Sequence, residues 1–315
     1  MDAPLSCLIV GCGYVGSRFA RREAGRRPLL AIVRSPQSQA ALEAAGIRAL
    51  RVDFDAGGAA GAADTSALQS ALAAAAHHAA IAYLTPPPDS GVTDPRLESL
   101  LARLGGSVPA VFVYVSTTGV YGDAGGARVD ESTPVAPGND RSRRRVAAES
   151  TAQAWCAARG VRCVILRVPG IYGPHRLPLE RLSRNEPALR DEDAGPGNRI
   201  HVDDLAAAIA AAIDTPAAQG IYNVTDGDPS STTSYLRLTA QAAGLSPPRL
   251  VSKEEARRVI PAGMLSFLLE SRLVDNRRMR EELAVPLRYP TLQAGVLASL
   301  AEMRASGSTQ ETVPP

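Results

Sequence analysis

The sequence predicts an α/β fold, a doubly wound parallel sheet with a smaller C-terminal part for substrate. Two observations carry this: apolar runs of strand length alternate with helical patterns along most of the chain, and a glycine cluster links the first run to the first helix. In that architecture ligands gather at the carboxyl ends of the strands, so the residues that follow each run are the functional candidates.

The first run lies in "CLIVGCGYVGSRFARREAG", where Val15, Phe19 and Ala20 then fall at helical spacing. Gly11, Gly13 and Gly16 enclose Tyr14 and Val15 in G-x-G-x-x-G, the dinucleotide signature of Rossmann-type sheets. Its first glycine permits the tight turn, its second lets a pyrophosphate approach the backbone, and its third lets helix pack on strand. The second run, "PLLAIVR", ends in Arg34 and Ser35. A carboxylate there would bind a ribose 2′-hydroxyl, whereas an arginine accommodates a 2′-phosphate, so the pair favours NADP over NAD. "IRALRVDFD" reads as a third strand ending at Asp53, a further cofactor-side candidate. An Ala-rich helix from about Ser66 to Ala76 precedes a turn containing His77 and His78, and "AAIAYLTPPP" reads as a fourth strand halted by Pro86 to Pro88. "VPAVFVYVSTTGVYGD" supplies a fifth that ends in hydroxyls.

Composition limits the function classes. The 315 residues carry 34 basic and 32 acidic side chains, a net charge of +2, which argues against sequence-independent nucleic-acid binding. The N-terminus lacks a basic region and its apolar run is cut by glycines, so neither a signal peptide nor a membrane span is expected, and a cytoplasmic location is. Cys7, Cys12, Cys156 and Cys163 show no C-x-x-C pairing and no metal spacing, and read as small core residues. Nearly all the cations are arginines, and Lys253 is the only lysine.

From the fifth strand onward the chain resembles the extended short-chain dehydrogenase/reductases, the NAD-dependent epimerase/dehydratase superfamily. "STTGVYG", "ESTPVAP", "LRVPGIYGP", "RIHVDDLAAAI" and "GIYNVTDG" follow that family's motifs in order, with a weaker echo in "VDNRRMREELAVPLRYP". The resemblance implies a homodimer, a small-molecule substrate, and a Ser or Thr after the fifth strand that holds the substrate oxygen. Alignment on "VYG" puts that hydroxyl at Thr117. It also implies a catalytic Y-x-x-x-K some two dozen residues later, and there the chain reads "RSRRRVAAE", with Arg141 at the tyrosine and Arg145 at the lysine. Lys253 has no tyrosine four residues before it, so Y-x-x-x-K is absent and the chain resembles the atypical members that lose this dyad.

A guanidinium stays charged in proteins, so Arg141 can donate hydrogen bonds but cannot act as a general base. At 100° per residue, Arg141, Arg144 and Arg145 fall within an arc of about 100° while Arg143 points away. Two readings of Arg141 stand open, a clamp on a substrate carboxylate or phosphate and a solvated helix face. Arg145 in the lysine's place would reach the nicotinamide ribose. Other proton donors to weigh are Tyr121, Tyr172 and His175. His201 is expected to fix a loop, with Asp203 or Asp204 capping the next helix.

The dinucleotide domain is expected over 1–173 and 199–224, the substrate part over 174–198 and 225–306, and a disordered tail over 307–315. The insert after Pro174 is short for a large nucleotide sugar. Two functions remain: an NADP-dependent oxidoreductase or epimerase/dehydratase-like enzyme on a small, hydroxylated or carbonyl, anionic substrate, or a catalytically silent NAD(P)-binding regulator or scaffold. No metal is expected.

Overall fold

The computed structural model describes residues 4–55 and 62–307. Most of the expected tail, 308–315, lies outside the described residues. The first half of the chain alternates β1 (Cys7–Val10), α1 (Tyr14–Glu23), β2 (Leu29–Val33), α2 (Pro36–Ala44), β3 (Ala49–Arg51), α3 (Ala62–Ala76), β4 (Ala80–Tyr83), α4 (Pro95–Leu104), β5 (Val111–Thr117), β6 (Arg128–Val129) and α5 (Asp140–Ala157). The second half runs β7 (Arg162–Val168), β8 (Gly170–Tyr172), α6 (Leu179–Ser183), β9 (Ala188–Leu189), β10 (Arg199–His201), α7 (Val202–Asp214), β11 (Gly220–Asn223), α8 (Thr232–Ala243), β12 (Leu250–Val251), α9 (Lys253–Val259), α10 (Ala262–Leu269), β13 (Leu273–Val274), α11 (Arg277–Glu282) and α12 (Leu292–Ala305).

Seven strands form the main sheet in the order β11-β7-β5-β4-β1-β2-β3, every neighbouring pair parallel. Period-2 alternation assigns each side chain to a face. Cys7, Ile9, Ala82, Val111 and Val113 join the core beneath α7, whereas Leu8, Val10, Tyr83, Phe112 and Tyr114 join the core with residues of α4 and α5. Both faces are covered, which is why these strands read as continuous apolar runs. The third strand stops at Arg51, two residues before the expected Asp53, because β3 is an edge that pairs only with Ala31–Val33. Helix α3 begins at Ala62, ahead of the expected Ser66, and His77 and His78 follow it in a turn as anticipated. Among the described residues no helix is long and apolar enough to cross a membrane.

The segments after Pro174 and after Asn223 meet beside the sheet's carboxyl edge: β9 pairs with β12, and Leu182 of α6 packs with Leu236 and Ala240 of α8. Strand β13 returns to pair with β6, tying this part to the loop after β5. Arg18 of α1 binds both Asp203 and Glu302 at 2.5 Å, joining α1, α7 and α12.

Among the described residues Glu23 pairs with Arg27 and Glu149 with Arg167, but Asp226, just after β11, is 5% exposed and its Oδ2 has no hydrogen-bond partner. Burial pushes its carboxyl up to about 7. Because the folded value exceeds the ordinary 3.8, the folded state holds the proton more tightly, and stability present at low pH is lost as pH rises between those two values. Asp226→Asn removes this dependence. Its stability relative to the parent is expected to grow through that window at up to about 1.4 kcal/mol per pH unit, measured by urea unfolding across pH.

Candidate active site

The direction of strand order reverses between β1 and β4, and a cleft of about 650 Å³ opens there at the carboxyl ends of the strands. Its floor is the glycine loop, and each glycine has its own physical reason. Gly11 adopts φ +92°, and a Cβ there would lie 2.6 Å from Thr85 Oγ1 and 2.7 Å from the Thr85 nitrogen. A Cβ on Gly16 would come within 2.6 Å of the Gly11 carbonyl oxygen, so this glycine lets α1 close on β1. Gly13 has nothing within 4 Å of its Cβ position and faces open space. Gly13 also precedes α1 without a side-chain cap, and the first turn contains no acid. The helix therefore presents unclaimed N–H groups and the positive end of its dipole to the cleft, the arrangement a pyrophosphate needs.

Arg34, Ser35, Asp53 and Asp55 line the outer end of the cleft. Arg34 is 69% exposed and lies 3.4 Å from Asp55, a loose contact. Arg96 holds Asp55 more firmly through two bonds of 2.6 Å and donates to the Pro86 carbonyl at 2.9 Å. Hydrogen bonding from Arg96 keeps the Asp55 carboxyl below the usual range. Ser35 caps α2 by accepting the Ser38 N–H, and Asp53 accepts the Asp55 N–H at 2.9 Å. Tyr14 leaves the loop sideways, its hydroxyl donating to the Pro174 carbonyl at 2.8 Å, while Val15 packs against the core.

At the inner end stand Ser116, Thr117, Arg141 and Arg145. Thr117 terminates β5, and its Oγ1 accepts the Gly119 N–H at 3.1 Å. That bond uses the oxygen as acceptor and does not engage the hydroxyl proton. Asn139 caps α5 by accepting the Ser142 N–H, and Arg141 in the helix's first turn lines the cleft. Arg145 donates to the Val115 carbonyl at 3.0 Å and to the Tyr114 hydroxyl at 3.2 Å. Arg141 is exposed on the cleft wall, and Arg143 points outward onto Asp140. Arg144 departs from the helical-arc expectation: it is buried and donates to the Gly91 carbonyl in the loop after β4. Its position on the helix turns it toward α4 and away from the cleft.

Tyr121 also needs correcting as a catalytic candidate. It is 3% exposed, lies outside the cleft lining, donates to Asn223 Oδ1 at 2.8 Å and stacks beneath the Arg167 guanidinium. Burial raises its phenol pKa, so it holds its proton. Tyr172 is buried against His201 and Tyr235, and His175 is exposed on a φ +62° turn outside the cleft lining. His201 caps α7 itself, accepting the Asp203 N–H, and burial lowers its pKa to about 4. Neither aspartate is the cap: Asp203 binds Arg18, and Asp204 accepts the Arg288 and Tyr289 N–H groups.

The sequence reading did not single out Ser116. Its hydroxyl donates to Glu149 at 2.5 Å, and Glu149 is bound in turn by Arg167 Nε at 3.2 Å and Nη2 at 2.7 Å. This buried chain fixes β5 and α5 side by side directly behind the site. The only sequence signal for it was a glutamate on the face of α5 that returns four residues after Arg145.

The model of the NAD dependent epimerase/dehydratase family matches residues 7–225, the stretch that builds the sheet and the cleft. The chain belongs to this family. Among curated relatives, protein YeeZ of Escherichia coli K12 is 29% identical over 180 residues, which is 56% of this chain and 58% of YeeZ. The match thus spans less than two thirds of that relative. A solved structure of a conserved protein of unknown function from Silicibacter pomeroyi is 29% identical, with a TM-score of 0.76 over 95% of this chain and 99% of that one. UDP-glucose 4-epimerase from Thermus thermophilus, solved with NAD, superposes with a TM-score of 0.71 over 96% of this chain and all of that one. At 19% identity that likeness concerns the fold alone. The family's NAD-binding fold is therefore present, with arginines on the α5 wall of the cleft.

Proposed function

We propose that the chain binds NADP(H) in the cleft and acts as an oxidoreductase or epimerase/dehydratase-like enzyme on a small, anionic, hydroxylated or carbonyl substrate. The observation that carries this reading is the convergence of Thr117, Arg141 and Arg145 on the wall of the same cleft that the glycine loop floors. The residues fit a dinucleotide: the uncapped α1 N-terminus and open Gly13 suit its pyrophosphate, and Arg34 with Ser35 suits a 2′-phosphate. The bound nicotinamide would supply or take a hydride. Thr117 would donate to the substrate oxygen, Arg141 would hold a carboxylate or phosphate, and Arg145 would stabilise negative charge without relaying a proton. The missing Y-x-x-x-K favours the second reading, a cofactor-binding regulator without hydride chemistry.

Calorimetric titration tests the cofactor. NADPH is expected to bind more tightly than NADH, and Arg34→Asp to reverse the order. Equal affinities in the parent would remove Arg34 from this role. Turnover separates the two readings when a panel of small keto acids, carbonyl phosphates and their hydroxy counterparts is followed both by NADPH absorbance, which reports net reduction, and by NMR of the products, which reports epimerisation or dehydration that returns the hydride. In the enzyme reading Arg141→Ala weakens substrate binding by about tenfold or more, given ~1.5–3 kcal/mol per charge-assisted hydrogen bond, whereas Arg143→Ala changes nothing. Thr117→Val is expected to lower turnover while leaving NADPH affinity intact. A panel without turnover supports the regulator.

A further inference from the structure

A second cavity of about 220 Å³ adjoins the cleft, and Pro169, Ile171 and Arg176 line both. Its charged lining comprises Arg176, Arg181, Arg199, Arg272 and the single acid Glu270. Two of those cations are compensated: Arg181 lies 3.1 Å from Glu186, and Arg272 lies 3.1 Å from Glu270 and donates to the Gly122 carbonyl. The other two rest on aromatic faces. Arg199 is 7% exposed, sits 4.7 Å over the Tyr235 ring, and donates to the Ser230 carbonyl at 2.6 Å and to Thr232 Oγ1 at 3.2 Å. Those bonds use two of its five N–H groups. Among the described residues no carboxylate lies within ion-pair distance of it, and the neighbouring Asp226 leaves its Oδ2 without a partner. Arg176, exposed where the two cavities join, stacks 4.4 Å over Tyr14 and likewise meets no carboxylate within that distance among the described residues.

A buried guanidinium without a carboxylate at ion-pair distance is costly to hold, and Asp226 and Asp228 act on Arg199 only from beyond that distance. The cavity wall beside it is the place from which an opposite charge can come.

We infer that this cavity is a subsite for a small oxyanion carrying two negative charges, a phosphate monoester or a dicarboxylate, held by Arg199 and Arg176. The inference rests on the reading of the adjoining cleft as the cofactor site and names the substrate class that reading leaves open. The size agrees, because the volume falls below the roughly 300–1,000 Å³ that accommodates drug-sized ligands. Uncharged analogues would leave both cations uncompensated and are rejected on that ground. The group that Arg141 would hold is then a second one, on the part of the substrate that extends from this cavity into the cleft lined by Thr117 and Arg141.

The test titrates the full chain with inorganic phosphate and with malonate at constant ionic strength, with chloride as the reference anion, and titrates every variant with NADPH in parallel. One of the two dianions is expected to bind saturably, Arg176→Gln and Arg199→Gln each to weaken it at least tenfold, and NADPH affinity to stay within a factor of two in Arg199→Gln, whose side chain lies outside the cofactor cleft lining. A preference for phosphate identifies a phosphate monoester, and a preference for malonate identifies a dicarboxylate. Arg176 is exposed, so its variant keeps the test decisive if Arg199→Gln fails to fold. Binding no stronger than chloride, or dianion binding untouched by Arg176→Gln, overturns the subsite. Dianion binding that depends on both arginines in a chain that ignores NADPH instead overturns the cofactor reading and leaves the subsite standing.

Discussion

Gly13→Val is expected to leave the fold intact and to weaken dinucleotide binding roughly a hundredfold, about 2.7 kcal/mol. The contrast with the neighbouring glycines makes this specific. A valine at Gly13 points into space that holds no protein atom within 4 Å of the first added carbon, so the folded chain has nothing to move. The same branched side chain would stand where a pyrophosphate must approach the α1 N-terminus. At Gly11 the identical substitution meets Thr85 Oγ1 and its backbone nitrogen inside 3 Å, on a backbone at φ +92°. Left-handed strain of about 1–2 kcal/mol then adds to overpacking of about 1–3 kcal/mol. Gly11→Val should therefore lower the melting temperature by several degrees, whereas Gly13→Val should not. Calorimetry for NADPH and thermal unfolding, run on both variants, separate the effects. A Gly13→Val chain that binds NADPH like the parent would remove the glycine loop from the cofactor site.

Glu149→Ala is expected to destabilise the protein by about 3–5 kcal/mol, the usual cost of leaving one partner of a buried ion pair uncompensated. Glu149 and Arg167 have side chains 5% and 4% exposed, and the carboxylate also accepts the Ser116 hydroxyl. Removing it strands a guanidinium and a hydroxyl between β5 and α5. Glu149→Gln retains an acceptor for one of them and should lose less. Urea unfolding measures both. A Glu149→Ala variant as stable as the parent would show that the pair is dispensable for packing.

The sheet and the glycine loop were legible because their causes are local. Strand faces follow from a two-residue period, as in Cys7 and Ile9 against Leu8 and Val10, and the demand for glycine at Gly11 follows from backbone conformation. Thr117, Arg141 and Arg145 could be placed on the cleft because strand ends and helix starts define its edge. What the sequence could not supply is the partner of each polar group. Tyr121 reads as an available phenol until Asn223, 102 residues away, takes its hydroxyl. Asp203 reads as a cap until Arg18, 185 residues away, takes its carboxylate.

By itself, then, the sequence determined the parallel sheet, the glycine loop between β1 and α1 and the run of arginines that opens α5, all of which depend on residue type and short-range spacing. Only the tertiary structure decided which arginines are compensated. Arg18 and Arg167 meet carboxylates, Arg144 and Arg145 donate only to neutral carbonyl and hydroxyl oxygens, and Arg199 and Arg176 line a cavity and rest on aromatic rings. The physical reason is that compensating a charge is a pairwise matter across distances of a few ångströms, and chain separation says nothing about which pairs folding will bring that close.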